Sequence, residues 1–322
     1  MKRAATVLTA GLTALAAAGG AGAQDYPARP VRVVVPYAAG GPVDIVARIT
    51  AQKLTEAFKH QFVVDNRAGA GGNIAVELVA RSAPDGYTLL MGANGTNAIN
   101  PSLYKKLAVD PAKDLAPVSR VASSAMILVV HPSLPVSNVK QLIALARQQP
   151  GAVTYASSGS GSTAHLASEL FKSTAKVDLL HIPYKGAGPA LVDLVAGQVQ
   201  AMITGVSSTL PYVKSGRLKA LGVSSEKRQS LLPDVPSIAE DLPGYEVSTW
   251  YGIFAPAGTP RAVIDRLNQA LGRILTSPDA QSRLAAVGAD AQPNTPEQFA
   301  QAVSQERVKW AKIIEQAGAR AD

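Results

Sequence analysis

Two loops carry the residues best suited to chemistry. Tyr37-Ala38-Ala39-Gly40-Gly41-Pro42 leads to Asp44, and Ser157-Ser158-Gly159-Ser160-Gly161-Ser162 leads to Thr163. Each follows a short apolar run of strand character and opens a segment with helical spacing. Small residues let a ligand approach the backbone, and the first N–H groups of a helix have no intrahelical partner. The positive end of the helix dipole adds to those donors, so such a loop suits an anion. Tyr37, Ala38, Gly40 and Gly41 are the candidates of the first loop. Ser158, Ser160, Ser162 and Thr163 are those of the second, where hydroxyls join the backbone donors, although a serine in that place also serves as a plain helix cap. One such loop in each half of the chain points to a cleft. Asn94 and Thr96 after the third strand, Tyr184 and Lys185 after a later one, and Thr204 after another complete the candidate set. Lys185 has the charge to pair with a carboxylate. Asp44 has the wrong sign for that and is expected to cap its helix and hold the first loop, or to meet an ammonium or a bridging water.

Other chemistries find less support. Gly159, Gly161 and Ala164 fit a relaxed dinucleotide-binding spacing, but Asp178 falls at the beginning of the next strand, where an acidic residue at its end is needed. The glycines beside Ser160 are adjacent to it, which is not the spacing of a nucleophile elbow. His60, His131, His165 and His181 show no metal-ligand spacing; His165 and Glu169 share a helix face but form a weak pair by themselves. The chain has no cysteine, so neither a disulfide nor a thiolate metal site arises. No cofactor is expected. The alternative function is an exported serine hydrolase drawing on one of the loop serines with His165 or His181.

The elements that must hold these loops alternate strand and helix. Strands are expected at 31–35, 62–64 and 87–91, with helices at 44–57 and 74–81 between them. The pattern restarts with a strand at 126–130, a helix at 139–148 capped by Ser137, and strands at 153–156, 179–183, 199–203 and 218–223. Helices at 163–173 and from 184 to 197 separate them, and the last part is read as mostly helical, at 261–275, 278–287 and 296–317. This is an α/β chain of two βα-rich halves in series.

Lys2 and Arg3, an uncharged stretch from Ala4 to Gly22, and Ala21-Gly22-Ala23 before Gln24 make residues 1–23 a secretory signal peptide, cleaved near Ala23. The stretch is too poor in Leu and Val for a stable membrane anchor. The formal net charge is +8, and removal of Lys2 and Arg3 lowers it by two. The basic residues are scattered and an exported protein rarely meets nucleic acid, so the excess reads as a mild field for anionic solutes.

Taken together, several segments resemble the substrate-binding subunits of tripartite tricarboxylate transporters, the Bug family. They are the run from Pro36 to Arg48, Asn66-Arg67 with Gly69 to Ile74, Asp85 to Leu90, Tyr155 to His165, Pro183-Tyr184-Lys185-Gly186, Pro233 to Pro236, and Trp250-Tyr251-Gly252 followed by Ala255 to Pro260. The resemblance covers nearly the whole mature chain and implies a two-lobed periplasmic binding protein fold of type II, with the ligand cleft between the lobes. Lobe one would be 25–124 with 225–322, the final helices packing on it, and lobe two 125–224. It further implies a small carboxylate ligand held by backbone amides, Ser/Thr hydroxyls and waters, and hinge closure over it. The protein would be a monomer in the periplasm, passing its cargo to a two-subunit integral membrane translocator or serving a membrane sensor. Two departures stand out: Ala68 where proline is usual, and Met202-Ile203-Thr204-Gly205 where relatives carry a bulkier aromatic-acidic-amide run. The second gives an open, uncharged wall and argues against an amino acid, whose ammonium would want a carboxylate.

Overall fold

The computed structural model describes residues 26–229 and 231–317. Residues 1–23, read from the sequence as a signal peptide, lie outside the described residues. Among them, no helix is long and apolar enough to cross a membrane.

The first half opens with β1 (Val31–Val35), α1 (Pro42–Phe58), β2 (Phe62–Asn66), α2 (Asn73–Ala80) and β3 (Thr88–Ala93). The valines of β1 are almost wholly buried, as a parallel strand covered on both faces requires. β1 pairs in parallel with β2 on one side and β3 on the other. After β3 a wide helical turn, Gly95–Ile99, runs into the short α3 (Asn100–Leu103), and α4 (Pro111–Asp114) precedes the long β4 (Leu115–Val130). The second half repeats the plan: α5 (Val139–Gln148), β5 (Thr154–Ser157), α6 (Thr163–Ala175), β6 (Leu180–Pro183), α7 (Ala187–Val195), β7 (Ala201–Gly205), α8 (Val206–Lys214) and β8 (Lys219–Val223). The chain returns through β9 (Ser248–Pro256), α9 (Arg261–Leu275), α10 (Pro278–Ala285), β10 (Asp290–Ala291) and α11 (Pro296–Ala317).

The strand order is β2-β1-β3-β9-β4-β7-β5-β6, with β8 and β10 also pairing with β4. β4 joins the two halves. Its first part runs antiparallel to β9 from Leu115 to Ala125, and its last part, Met126 to Val130, runs antiparallel to β7. One apolar core forms around β1, with Val33, Leu54, Leu89, Ile253 and Leu267 among its members; another forms around β5, with Leu128, Tyr155, Phe171 and Ile203.

Four details differ from the sequence reading. β4 begins at Leu115, not Met126, and β9 is a nine-residue strand in a region to which no element was assigned. Eight consecutive residues of β9 are buried, so it lacks the alternation that marks a half-exposed strand. α8 was hidden by Pro211 within it, a residue that ordinarily breaks a helix. Asn138, not Ser137, caps α5: its Oδ1 accepts from the Gln141 N–H at 2.9 Å.

The boundary between halves also differs from the one expected. Ile238, Leu242, Tyr245 and Val247, assigned with the first lobe, pack in the core around β5. α9 and α10 pack on the first core, but α11 straddles both. Phe299 packs beside Trp250 of the first half, whereas Trp310 and Ile314 enter the second core.

Candidate functional site

Four helices begin at one cavity. Its wall includes Pro42 and Val43 of α1, Thr163 and Ala164 of α6, Ala187 of α7, and Gly205 just before α8. Three of these helices are capped by glycine, namely Gly41, Gly186 and Gly205, and no cap side chain takes up their first N–H groups. Only α6 has a side-chain cap, Ser162, whose Oγ accepts from the His165 N–H at 3.2 Å. The remaining wall is Tyr37, Gly41, Ala93, Met126, Ser158, Ser162, Thr204, Thr249 and Tyr251. Among the described residues, no charged side chain lines it. The space between these residues, open solvent included, is about 430 Å³. Positive helix ends and hydroxyl donors suit such a wall to a small anion.

A wider mouth adjoins it through Tyr37 and Ser158. It is bounded by Gly69 to Gly72, Tyr104, Gly159, Ser160, Pro183, Tyr184 and Lys185. Here the halves touch. The Ala38 N–H donates to the Lys185 carbonyl at 3.1 Å, and Tyr104 Oη donates to the Ser160 carbonyl at 2.8 Å. Glycines permit this approach: a Cβ on Gly186 would lie 2.7 Å from the Ala38 nitrogen, and one on Gly188 would overlap the Ala39 carbonyl oxygen. Tyr184 Oη donates to Asp193 at 2.7 Å; burial, reinforced by that carboxylate, pushes the phenol up to about 12.

Of the residues singled out from sequence, Tyr37, Gly41, Ser158, Ser162, Thr163 and Thr204 come together on the inner wall, and Ser160, Tyr184 and Lys185 lie at the mouth. Ala38, Gly40, Asp44, Asn94 and Thr96 line neither. Asp44 sits behind the first loop and is not available to a ligand. Its Oδ2 accepts from the Gly40 N–H and from Arg48, both at 3.0 Å, and its Oδ1 accepts from Asn66 at 3.0 Å. Burial alone would raise this carboxyl, but the bonds from Arg48, Gly40 and Asn66 outweigh it and hold the group below its ordinary range. Gly40, with φ +82°, is the turn that Asp44 holds, and Ala38 is spent on the contact with Lys185. Asn94 ties β9 to α11: it accepts from the Trp250 N–H and Thr249 Oγ1 and donates to Glu306. Thr96 closes the turn after β3 through Ala93.

Thr249 and Tyr251 are wall residues that the sequence reading passed over. They are two apart on β9 and therefore face the same side. Tyr251 is 1% exposed, and its Oη has no hydrogen-bond partner among the described residues. Had 248–256 been recognised as a strand, the period of two would have put Tyr251 on the same face as Thr249.

The serine and histidine pairing needed for hydrolysis takes a different form. His181 Nε2 meets Ser157 Oγ at 2.7 Å, but Ser157 is fully buried and lines neither the cavity nor its mouth. A hydroxyl that lines neither space is out of reach of a substrate carbonyl there.

Residues 46–319 match the family model described as the tripartite tricarboxylate transporter family receptor. The chain is 37% identical over 316 residues to the protein BugT of Bordetella pertussis, covering 98% of this chain and 95% of that one. Among solved structures, a Rhodopseudomonas palustris protein with adipate superposes with a TM-score of 0.90 at 38% identity, covering 92% of this chain and 99% of the other. The protein MatC of the same organism, with bound malate, gives 0.86 at 35%, covering 90% and 100%. These likenesses span both halves and carry the two-lobed periplasmic binding protein fold.

Proposed function

The chain belongs to the tripartite tricarboxylate transporter receptor family, a family of solute-binding proteins, and on that premise we propose that it captures a small carboxylate where α1, α6, α7 and α8 begin. The observation that carries the reading is the convergence of four helix N-termini on a wall without charged side chains. Each such end favours a nearby anion by about 0.3–1 kcal/mol, and by up to about 2 kcal/mol where partly buried. The hydroxyls of Tyr37, Ser158, Thr163, Thr204 and Tyr251 supply the donors that fix the carboxylate. Ser162 contributes its hydroxyl proton, because its Oγ only accepts in the cap of α6 and its N–H is taken by the Gly159 carbonyl. Lys185, Tyr184 and Ser160 attract and admit the ligand at the mouth. Ala38, Gly40 and Asp44 shape the first loop, and Asn94 and Thr96 brace the junction of β3 with β9 and α11. The adipate and malate of the two solved relatives support an organic acid of a few carbons.

The lobes in this reading are 26–124 with 248–309, and 125–247, the end of α11 bridging them. Ligand closes them, since the anion-favouring helix ends belong to both. The receptor is monomeric in the periplasm and hands its cargo to a membrane translocator of two subunits. A thermal-shift screen with mono-, di- and tricarboxylates tests the reading. An acid at 100 times its dissociation constant adds about 2.7 kcal/mol, which raises the midpoint by about 5 °C or more in a protein of this size. A panel in which no acid shifts the midpoint overturns it.

A further inference from the structure

Three aromatic rings stack beneath the second binding loop. The His165 and His181 ring centroids lie 4.2 Å apart with planes 13° from parallel, and Tyr155 covers the other face of His181 at 4.8 Å. Both imidazoles are joined to the loop backbone. His165 Nδ1 accepts from the Gly161 N–H at 3.2 Å. Ser157 Oγ accepts from the Gly159 N–H at 3.2 Å and meets His181 Nε2 at 2.7 Å. Ser157 is fully buried, so its own proton needs an acceptor, and His181 Nε2 supplies one when that nitrogen is unprotonated. In both rings, then, the nitrogen facing the loop acts as a lone pair. The loop between them presents Ser158, Ser162 and Thr163 to the cavity.

We propose that His165 and His181 are positioning residues that hold the 157–163 loop in its anion-receiving shape only while both imidazoles are neutral, so that capture of the carboxylate weakens on acidification. Protonation of His165 at Nδ1 sets a donor against the Gly161 N–H. Protonation of His181 at Nε2 leaves the Ser157 proton without its acceptor. Two stacked imidazolium rings would repel each other across 4.2 Å. The charged groups facing the pair are few. Glu169 and Lys172 stand on α6 and pair at 3.0 Å. Tyr155 of β5 donates to Glu169 at 2.5 Å, and Asp178, before β6, lies 3.8 Å from Lys172. The Glu169 carboxylate favours the imidazolium of either ring, but burial outweighs it and Lys172 beside it opposes it. Burial lowers His165, and burial together with the neighbouring His165 lowers His181 to about 4. The neutral rings therefore favour the formed loop, and that advantage is lost as pH falls from about 6.5 towards 4.

The inference rests on the carboxylate reading, and its test separates the two. Asparagine places an oxygen near the position of Nδ1, and glutamine places one near Nε2. His165→Asn with His181→Gln therefore keeps both acceptors and removes both titrations. Calorimetric titration with the acid selected by the thermal screen is run from pH 7.5 to 4.5 on the parent and on this double variant. At pH 7.5 the two bind within about threefold. By pH 4.5 the parent weakens about tenfold more than the variant, whose profile keeps only the ligand's own protonation. In the ligand-free parent, the ¹⁵N shifts of Gly159 and Gly161 titrate together with the imidazoles. Identical pH profiles for parent and variant, or Gly159 and Gly161 amides that ignore the imidazole titration, overturn the proposal. If no acid binds at pH 7.5 while those amides still follow the imidazoles, the positioning role stands and the carboxylate reading falls. If the double variant does not fold, the amide titration of the parent decides.

Discussion

Tyr251→Phe should move ligand affinity and empty-protein stability in opposite directions. Tyr251 Oη is buried on the cavity wall and has no hydrogen-bond partner among the described residues. Its neighbour Thr249 already donates its hydroxyl proton to Asn94 at 3.1 Å. Burial drives the Tyr251 phenol up, so it is a neutral donor at every pH of interest. An unsatisfied buried polar group costs about 1–3 kcal/mol, so its deletion should stabilise the empty protein by about 1 kcal/mol, roughly 2–4 °C in midpoint. A hydrogen bond to a carboxylate is worth about 1.5–3 kcal/mol, so the same deletion should weaken binding by roughly 10- to 150-fold. Thermal denaturation of the empty variant beside calorimetric titration of the acid reads both effects. A variant that binds like the parent, or one that loses stability and affinity together, would refute the assignment of Tyr251 as a ligand donor.

Four further outcomes follow from named contacts. Gly188→Ala places a methyl on the Ala39 carbonyl across the cleft, so it should weaken binding tenfold or more while the midpoint of the empty protein stays within about 2 °C; calorimetry and thermal denaturation check both. Tyr104→Phe removes the bond to the Ser160 carbonyl and should cost about 0.5–1.5 kcal/mol of binding free energy, read by the same titration. Asp44→Asn should lower stability by about 1–3 kcal/mol at pH 7; because the native carboxyl is held below its ordinary range, that difference should persist through mildly acid pH and shrink only once the pH falls below that range, as denaturation midpoints will show. Ser162→Asp keeps a capping oxygen for α6, so the empty protein should hold its midpoint, while an anion at the cavity wall should abolish detectable binding of the acid by calorimetry.

The local signals in the sequence reached a long way. The two small-residue loops were legible because glycine, proline and serine between an apolar run and a helical pattern have few other uses, and both loops open helices at the cavity. What stayed hidden was long-range. Tyr251 and Thr249 reach the wall only because β9 crosses between β3 and β4, a pairing set by residues more than a hundred positions away. Asn94 followed a strand as a ligand contact would, but its amide is matched to the backbone of β9 and to Glu306 of α11, neither of which its own neighbourhood reveals. Asp44 was read as a helix cap or as the holder of its loop; Gly41 is the cap, and the carboxylate accepts from the Gly40 N–H in the loop. The helices after Gly41 and Gly186 were visible in the sequence and the one after Gly205 was not, and only the folded sheet brings the three helix ends to one point.

The central claim is that a carboxylate's negative charge, received by helix ends and hydroxyls, is what this cavity recognises. Calorimetric titration of the best acid from the screen beside its primary amide, at pH 7.5, tests it most directly. The account predicts saturable one-to-one binding of the acid, with a dissociation constant of about micromolar order, and a loss of at least about 2 kcal/mol for the amide. An amide that binds as tightly as its acid would contradict it.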